Sequence, residues 1–308
     1  MNLRKLIIFN PFIDLEEEKV SPEKFGIFVA IMIAVLFALI IPFAVDIVLM
    51  IGSAIKAYSV SPLSVDGAIK GIEKSQSFLL ISTLISFLLT IIIMWKGFTK
   101  KTHNYFPERK FKTSDILGVI ALILGFRLLF SGSLSYLVDL IPVPDFIEKA
   151  FDQMFINPAI GIITAVIIAP IQEEFVNRGI ILNGLSKKYS PKVALVISAL
   201  IFAAMHMNLP QGINAFLLGL ILGYVYLSTK SIFLSILCHA TNNICAIIPE
   251  LKNIHNIYLL VATSIAVVVV GILLMRFGLK RLDLKNRRIH YDSIRNSTNF
   301  DKELDFNI

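Results

Sequence analysis

An all-α, polytopic bundle of about eight transmembrane helices is the fold this sequence predicts, since each crossing of ~30 Å of hydrocarbon needs about 20 mostly apolar residues. Composition is the first reason: 56% of the 308 residues are hydrophobic and only 17% are charged, against about 45–50% and 25% in soluble domains. The second is segmentation, because apolar stretches of membrane-crossing length recur along the whole chain. The third is the placement of Lys and Arg, which gather in alternate connections. Length alone suggests two soluble domains, and this balance excludes them. The net charge of +7 would suggest a nucleic-acid partner in a soluble protein. Here it marks topology, and the expected partner is the lipid bilayer.

Span one starts near Phe25 and runs past Pro42 toward Met50, and span two, Ser77–Trp95, carries no charge. Span three runs from Ile116 to Val143 with Arg127 in its middle, where it can answer Asp46 or Asp139 or reach an interface. Span four starts near Asn157 and continues through Glu173 to about Leu185. From Val193 to Thr229 there are 37 residues without Lys, Arg, Asp or Glu, nearly two membrane thicknesses. The turn signal Leu209-Pro210-Gln211-Gly212 divides them into spans five and six. Span seven is Ser231–Pro249 and span eight is about Ile257–Met275. Gly219 and Gly223 give span six a GxxxG spacing that permits close helix approach.

With the N-terminus inside, the inner segments hold 22 of the 29 Lys and Arg residues and the outer loops 5, Arg127 and Arg178 lying within spans. The positive-inside rule therefore predicts a multi-pass protein with both termini cytoplasmic; the lack of a recognised import or secretion signal fits a prokaryotic plasma membrane, although an endoplasmic reticulum protein would look similar. No cleavable signal is read in the opening MNLRKLIIFNPFI. We read 1–308 as one integral membrane domain, with a core over 157–249 and a basic cytoplasmic tail over 276–308. The tail suits either anionic headgroups or a solvated flank. Cys238 and Cys245 fit small buried hydrophobes rather than a disulfide framework.

Ionisable groups within a span cost several kcal/mol, so each one needs a reason. Gln172-Glu173-Glu174-Phe175-Val176-Asn177-Arg178 interrupts span four. Glu174 and Arg178 are four apart and can pair along one face. Glu173 is left about 100° away on the helix, an acid beyond what a structural pair requires. His206 follows Phe202 by one turn in span five, and His239 precedes Asn243 by one turn in span seven. Taken singly, each is an ordinary packing residue. Depth joins them: Glu173 and His206 each lie 14 residues from the basic turn Lys187–Lys192, roughly 21 Å at 1.5 Å per residue. His239 and Asn243 lie roughly 14 and 20 Å from Lys230 on the same measure. All four share one slab of membrane if the helices run near its normal, which suggests one polar cavity.

A desolvated carboxylate suits a general base, while imidazole and amide groups suit holding a water and binding an oxyanion. No Ser or Cys is set against a base, and no HExxH is present. Two His and a Glu are also an accepted zinc ligand set, so metal-bound and metal-free water both remain open, with no cofactor certain and zinc a candidate.

Glu173-Glu174-x-x-x-Arg178, Phe202-x-x-x-His206 and His239-x-x-x-Asn243 together resemble the three motifs of the CAAX protease and bacteriocin-processing family, the Abi-type intramembrane endopeptidases that include the type II CAAX prenyl endopeptidases. The resemblance covers roughly 157–249. It implies that Glu173 activates a water, His206 helps hold it, and His239 and Asn243 stabilise the oxyanion, with Glu174, Arg178 and Phe202 shaping the site. It also implies an all-helical fold, a cavity reached from the cytosol or laterally from lipid, and a membrane-associated peptide or prenylated protein as substrate. Two other functions fit the same chain: a non-catalytic immunity or scaffold protein of that family, and a small transporter. Against the transporter stands the lack of a repeat relating the two halves.

Overall fold

The computed structural model describes residues 10–60, 71, 75–102, 113–247 and 256–282. Within them the chain is all but entirely helical. Apart from a single helical turn at Ser135–Val138, the elements are α1 (Asn10–Glu16), β1 (Val20–Pro22), α2 (Ile27–Ser59), α3 (Gln76–Phe98), β2 (Thr99–Lys101), α4 (Thr113–Ser131), α5 (Asp145–Phe155), α6 (Pro158–Ser186), α7 (Pro191–Ala204), α8 (Leu209–Thr229), α9 (Ile232–Ile247) and α10 (Ile257–Leu282). Six of these, α2, α3, α4, α6, α8 and α10, are long and apolar enough to cross a membrane. Large apolar side chains such as Phe28, Phe43, Val48 and Tyr258 stand more than 60% exposed. Water would not tolerate that much bare apolar surface, and lipid does. The chain is a multi-pass membrane protein with an all-α bundle.

Spans five and seven emerge as the shorter helices α7 and α9, of 14 and 16 residues, roughly 21 and 24 Å long at 1.5 Å per residue. The expected divider between spans five and six also moves. Leu209–Gly212 is the first turn of α8, and the connection is Met205–Asn208. Pro210 sits where a helix start tolerates proline, because the first backbone N–H groups have no partner within the helix. Span eight continues about two turns further than expected, so Arg276, Lys280 and Arg281 extend α10 to Leu282. Lys280 and Arg281 there meet the negative end of the helix dipole. The rest of the basic tail, and Pro249 at the end of span seven, lie outside the described residues.

Two prolines sit inside long helices, and the backbone answers both in the same way. Pro42 lies in α2 just after a π-helical stretch, Leu36–Ile40, and Pro170 lies in α6 just after another, Thr164–Ile168. A proline lacks the N–H that the carbonyl four residues back expects, and its ring crowds that carbonyl. In both helices that carbonyl, of Ala38 or Val166, falls within the wider π turn. Local widening of this kind lets membrane helices keep proline. A third π stretch, Phe175–Leu182, follows the two glutamates of α6.

The chain divides into two compact units, Met1–Pro107 with Val138–Leu220, and Glu108–Leu137 with Ile221–Ile308. In the first, α1 buries Phe12 and Leu15, and the Phe12 ring packs 4.6 Å from that of Phe175 on α6. Strands β1 and β2 pair antiparallel, with Ser21 opposite Lys100. Lys187, in the basic turn after α6, donates to Ser21 Oγ at 2.6 Å and to the Pro22 carbonyl. This small pair of strands was not legible as strand in so short a polar run.

In the second unit α4 and α10 meet along glycines seven residues apart: Gly118 and Gly125 on α4 with Gly132 just past its end, and Gly271 and Gly278 on α10. A Cβ on Gly125 would sit 2.6 Å from the Gly271 carbonyl oxygen, and one on Gly278 would sit 2.6 Å from that of Gly118. Only hydrogen fits at those positions. Small residues at such a seam let two backbones approach and gain van der Waals contact that lipid does not offer.

Candidate active site

Glu173 and Glu174 are neighbours on α6 with opposite fates. Glu174 is wholly buried and Arg178, one turn on, is 1% exposed. Arg178 Nε lies 3.1 Å from a Glu174 carboxylate oxygen, the expected pair. The guanidinium also donates from Nη2 to the Gly219 carbonyl of α8 at 3.2 Å and stands over the Phe202 ring at 4.7 Å. A planar cation satisfied by a carboxylate, a carbonyl and a ring face bears burial far better than an isolated charge. Gly219 lets the α7 and α8 backbones close at this level, since a Cβ there would meet Ala199 Cα at 3.2 Å.

The wall so built ends on His206. Phe202 packs edge-on against the His206 ring with centroids 5.1 Å apart. His206 is not within a continuous span, as its place in the apolar run suggests, but two residues past the end of α7. There the last turn tightens: the His206 N–H donates to Ala203 O at 3.2 Å, three residues back, instead of to Phe202 O. The Phe202 carbonyl so released lies 3.0 Å from His206 Nδ1. A carbonyl can only accept, so Nδ1 carries the proton, and in the neutral ring Nε2 is the basic nitrogen.

Asn208 fixes the turn beyond. Its Oδ1 accepts from the Gln211 N–H at 2.9 Å, capping α8. Its Nδ2 donates to the His206 carbonyl at 2.8 Å and to Gln211 Oε1 at 2.7 Å. Between them Met207 takes a left-handed backbone, φ 54°, a conformation costing roughly 1–2 kcal/mol for a residue with a side chain. Sequence reasoning missed Asn208, although Asn followed three residues later by Gln is the pattern of a reciprocal helix cap.

Glu173, half-buried, lines a cavity of about 720 Å³ together with Gln172 and His206. Gln172 is held by its amide donating to Thr90 Oγ1 of α3 at 2.9 Å. The wall also includes Asp46 of α2, Ser82 and Ser86 of α3, and Gln153 of α5. Gln76 closes one end by donating to the Gln153 carbonyl at 2.9 Å. The cavity therefore runs from the middle of α6 toward the end where α3 begins and α7 stops, away from Lys96 and the Lys187–Lys192 turn. Beside it, α2 and α7 frame an apolar cleft of about 500 Å³, lined by residues such as Ile31, Leu39 and Leu200. Ala38 and Met205 belong to both.

His239 and Asn243 lie on α9, in the second unit. His239 is 3% exposed, and the Asn243 side-chain oxygen accepts from Asn242 Nδ2 at 3.1 Å. Cys238 and Cys245 flank them without a disulfide. Among the described residues, no three His, Cys, Asp or Glu side chains gather into a set able to hold a metal ion.

Comparison with known proteins finds a family and relatives similar to this chain. Residues 155–245 match the family model described as "Type II CAAX prenyl endopeptidase Rce1-like". A Bacillus subtilis (strain 168) protein named "Putative membrane peptidase YdiL" is 26% identical over 197 residues, covering 62% of this chain and 79% of that protein. An Escherichia coli protein named "Uncharacterized 24.3 kDa protein" is 25% identical over 175 residues, covering 55% of this chain and 78% of its own length. No solved structure matches significantly. The matched segment contains all three motifs, and over it this chain is similar to the Rce1-like type II CAAX prenyl endopeptidases, as its acid, imidazole and amide residues suggest.

Proposed function

We propose that this chain is an intramembrane endopeptidase that hydrolyses a peptide bond with a water activated by Glu173. The observation that carries this reading is the shared cavity of Glu173, from α6, and His206, from the turn after α7, with the His206 tautomer fixed from behind. Glu173 takes a proton from water as the oxygen attacks the scissile carbonyl carbon. His206 orients that water through Nε2. The tetrahedral oxyanion is stabilised by His239 and Asn243, roles drawn from the family resemblance. Glu173 then returns its proton to the departing amine, so that water is added across the C–N bond. Each such acid–base role is worth roughly a hundred- to ten-thousand-fold in rate.

Glu174, Arg178 and Phe202 are positioning residues, acting through the His206 ring. The substrate is a membrane-associated peptide or a prenylated protein C-terminus. Of the two entry routes the resemblance implies, the apolar cleft beside the cavity favours the lateral one. The skew of basic residues supports cytoplasmic termini, and the membrane assigned is the plasma membrane.

The test compares membrane peptides in cells carrying wild-type protein or Glu173→Gln. One uncut precursor should accumulate in the variant at equal protein level. Undiminished processing by Glu173→Gln would refute the assignment.

A further inference from the structure

We propose that Asp46 and the Ser82–Ser86 edge of α3 form a cation-recognising subsite of this cavity, selecting peptides with an ammonium or guanidinium group near the scissile bond. The inference rests on reading the cavity as the peptidase site. It concerns residues outside the 155–245 stretch that the family model matches.

Asp46 lies on α2, deep enough to share a wall with Glu173 and His206. Its hydrogen bond comes from the neutral Ser82 hydroxyl. A carboxylate offers about four acceptor sites, so one hydroxyl leaves most of that capacity to whatever enters. Among the described residues no Lys or Arg lines the cavity. One turn along α3, Ser86 is 5% exposed and lines the same cavity, and its hydroxyl has no hydrogen-bond partner among the described residues. A buried hydroxyl without a partner marks a place where a polar group belongs.

A fixed carboxylate inside a membrane, met among the described residues by a neutral hydroxyl, favours a cation and disfavours an anion, because attraction and repulsion both grow as water is excluded. The second carboxylate, Glu173, adds to the same sign of field. A Lys or Arg side chain, or a free peptide N-terminus, supplies that cation. A peptide with Asp or Glu in its place is repelled.

The experiment uses the full chain in lipid nanodiscs and a library of lipid-anchored peptides. Each peptide carries Lys, Arg, norleucine or Glu at each position, with the N-terminus either free or acetylated. Cut sites are read by mass spectrometry. Wild type should favour Lys or Arg over Glu at one position by about tenfold or more. If the N-terminal amine is the cation instead, acetylation should abolish the preference. Asp46→Asn should still cut but lose it, Asp46→Glu should keep it, and Asp46→Lys should reverse it. Equal preference in wild type and Asp46→Asn would overturn the subsite, as would loss of all cutting in both Asp46→Asn and Asp46→Glu at normal thermal stability. Cutting by Glu173→Gln at the wild-type rate would instead overturn the peptidase reading, leaving a result distinct from failure of the subsite.

Discussion

The α4–α10 pair and the wall of the polar cavity are both built from apolar membrane helices, yet they solve opposite problems. Along α4 and α10 regular helices press glycine to glycine, and nothing larger than hydrogen fits at the closest points. Around Glu173 the helices are irregular instead: α2 and α6 carry π turns, α7 stops early, and Met207 adopts a left-handed backbone. Regular helices bury every backbone group and leave no room for a water. A polar site inside a bilayer needs the reverse, namely backbone that is locally opened and then satisfied again by side chains. Asn208 and the His206 ring, whose Nδ1 meets the released Phe202 carbonyl, provide that repair here.

The sharpest way to probe the contrast is the pair of adjacent glutamates. Glu173→Gln should lower peptide cleavage roughly a hundred- to ten-thousand-fold, with the thermal midpoint unchanged. Glu174→Ala should instead unfold the protein more readily, because it strands the buried Arg178 charge. Losing one partner of such a pair costs about 3–5 kcal/mol, read as a lower melting temperature in detergent. If the two variants exchanged phenotypes, the division between cavity and wall would be wrong.

At the glycine seam, Gly125→Leu should destabilise by about 3 kcal/mol or more, since the backbone itself must move and overpacking alone costs ~1–3 kcal/mol. Cleavage per folded molecule is the discriminating readout: a normal value would show that this seam is architecture, apart from chemistry. The smallest expected effect is at the turn. Asn208→Ala should cost about 1 kcal/mol for the lost cap, and it should lower kcat through a looser His206 while KM is held. Asn208→Asp, which keeps the accepting oxygen, should recover most of the stability.

Much of this was legible in the chain itself, and the reasons are physical. Hydropathy reports burial in lipid, so the spans could be counted. The i, i+4 spacing of Glu174 and Arg178 encodes a contact within one helix, and the structure contains it at 3.1 Å. The three motifs were readable because acids and imidazoles are costly in a bilayer. What sequence spacing does not encode is where a helix stops when apolar residues continue. The run from Val193 to Thr229 conceals the end of α7, and only the Asn208-x-x-Gln211 cap betrays it. The heptad spacing of Gly118, Gly125 and Gly132 was visible but carries no indication of its partner helix. Asp46 is the clearest case. It shares a wall with Glu173 through tertiary packing across more than a hundred residues, a relation no local pattern records.

The most direct test of the central claim is a double-mutant cycle on cleavage in nanodiscs, using Glu173→Gln, His206→Ala and the combined variant alongside melting temperatures. Residues serving one water act as a unit, so the double variant should be no slower than the worse single one, with all three melting close to wild type. Losses that multiply, or cleavage that survives either substitution, would contradict a shared hydrolytic site.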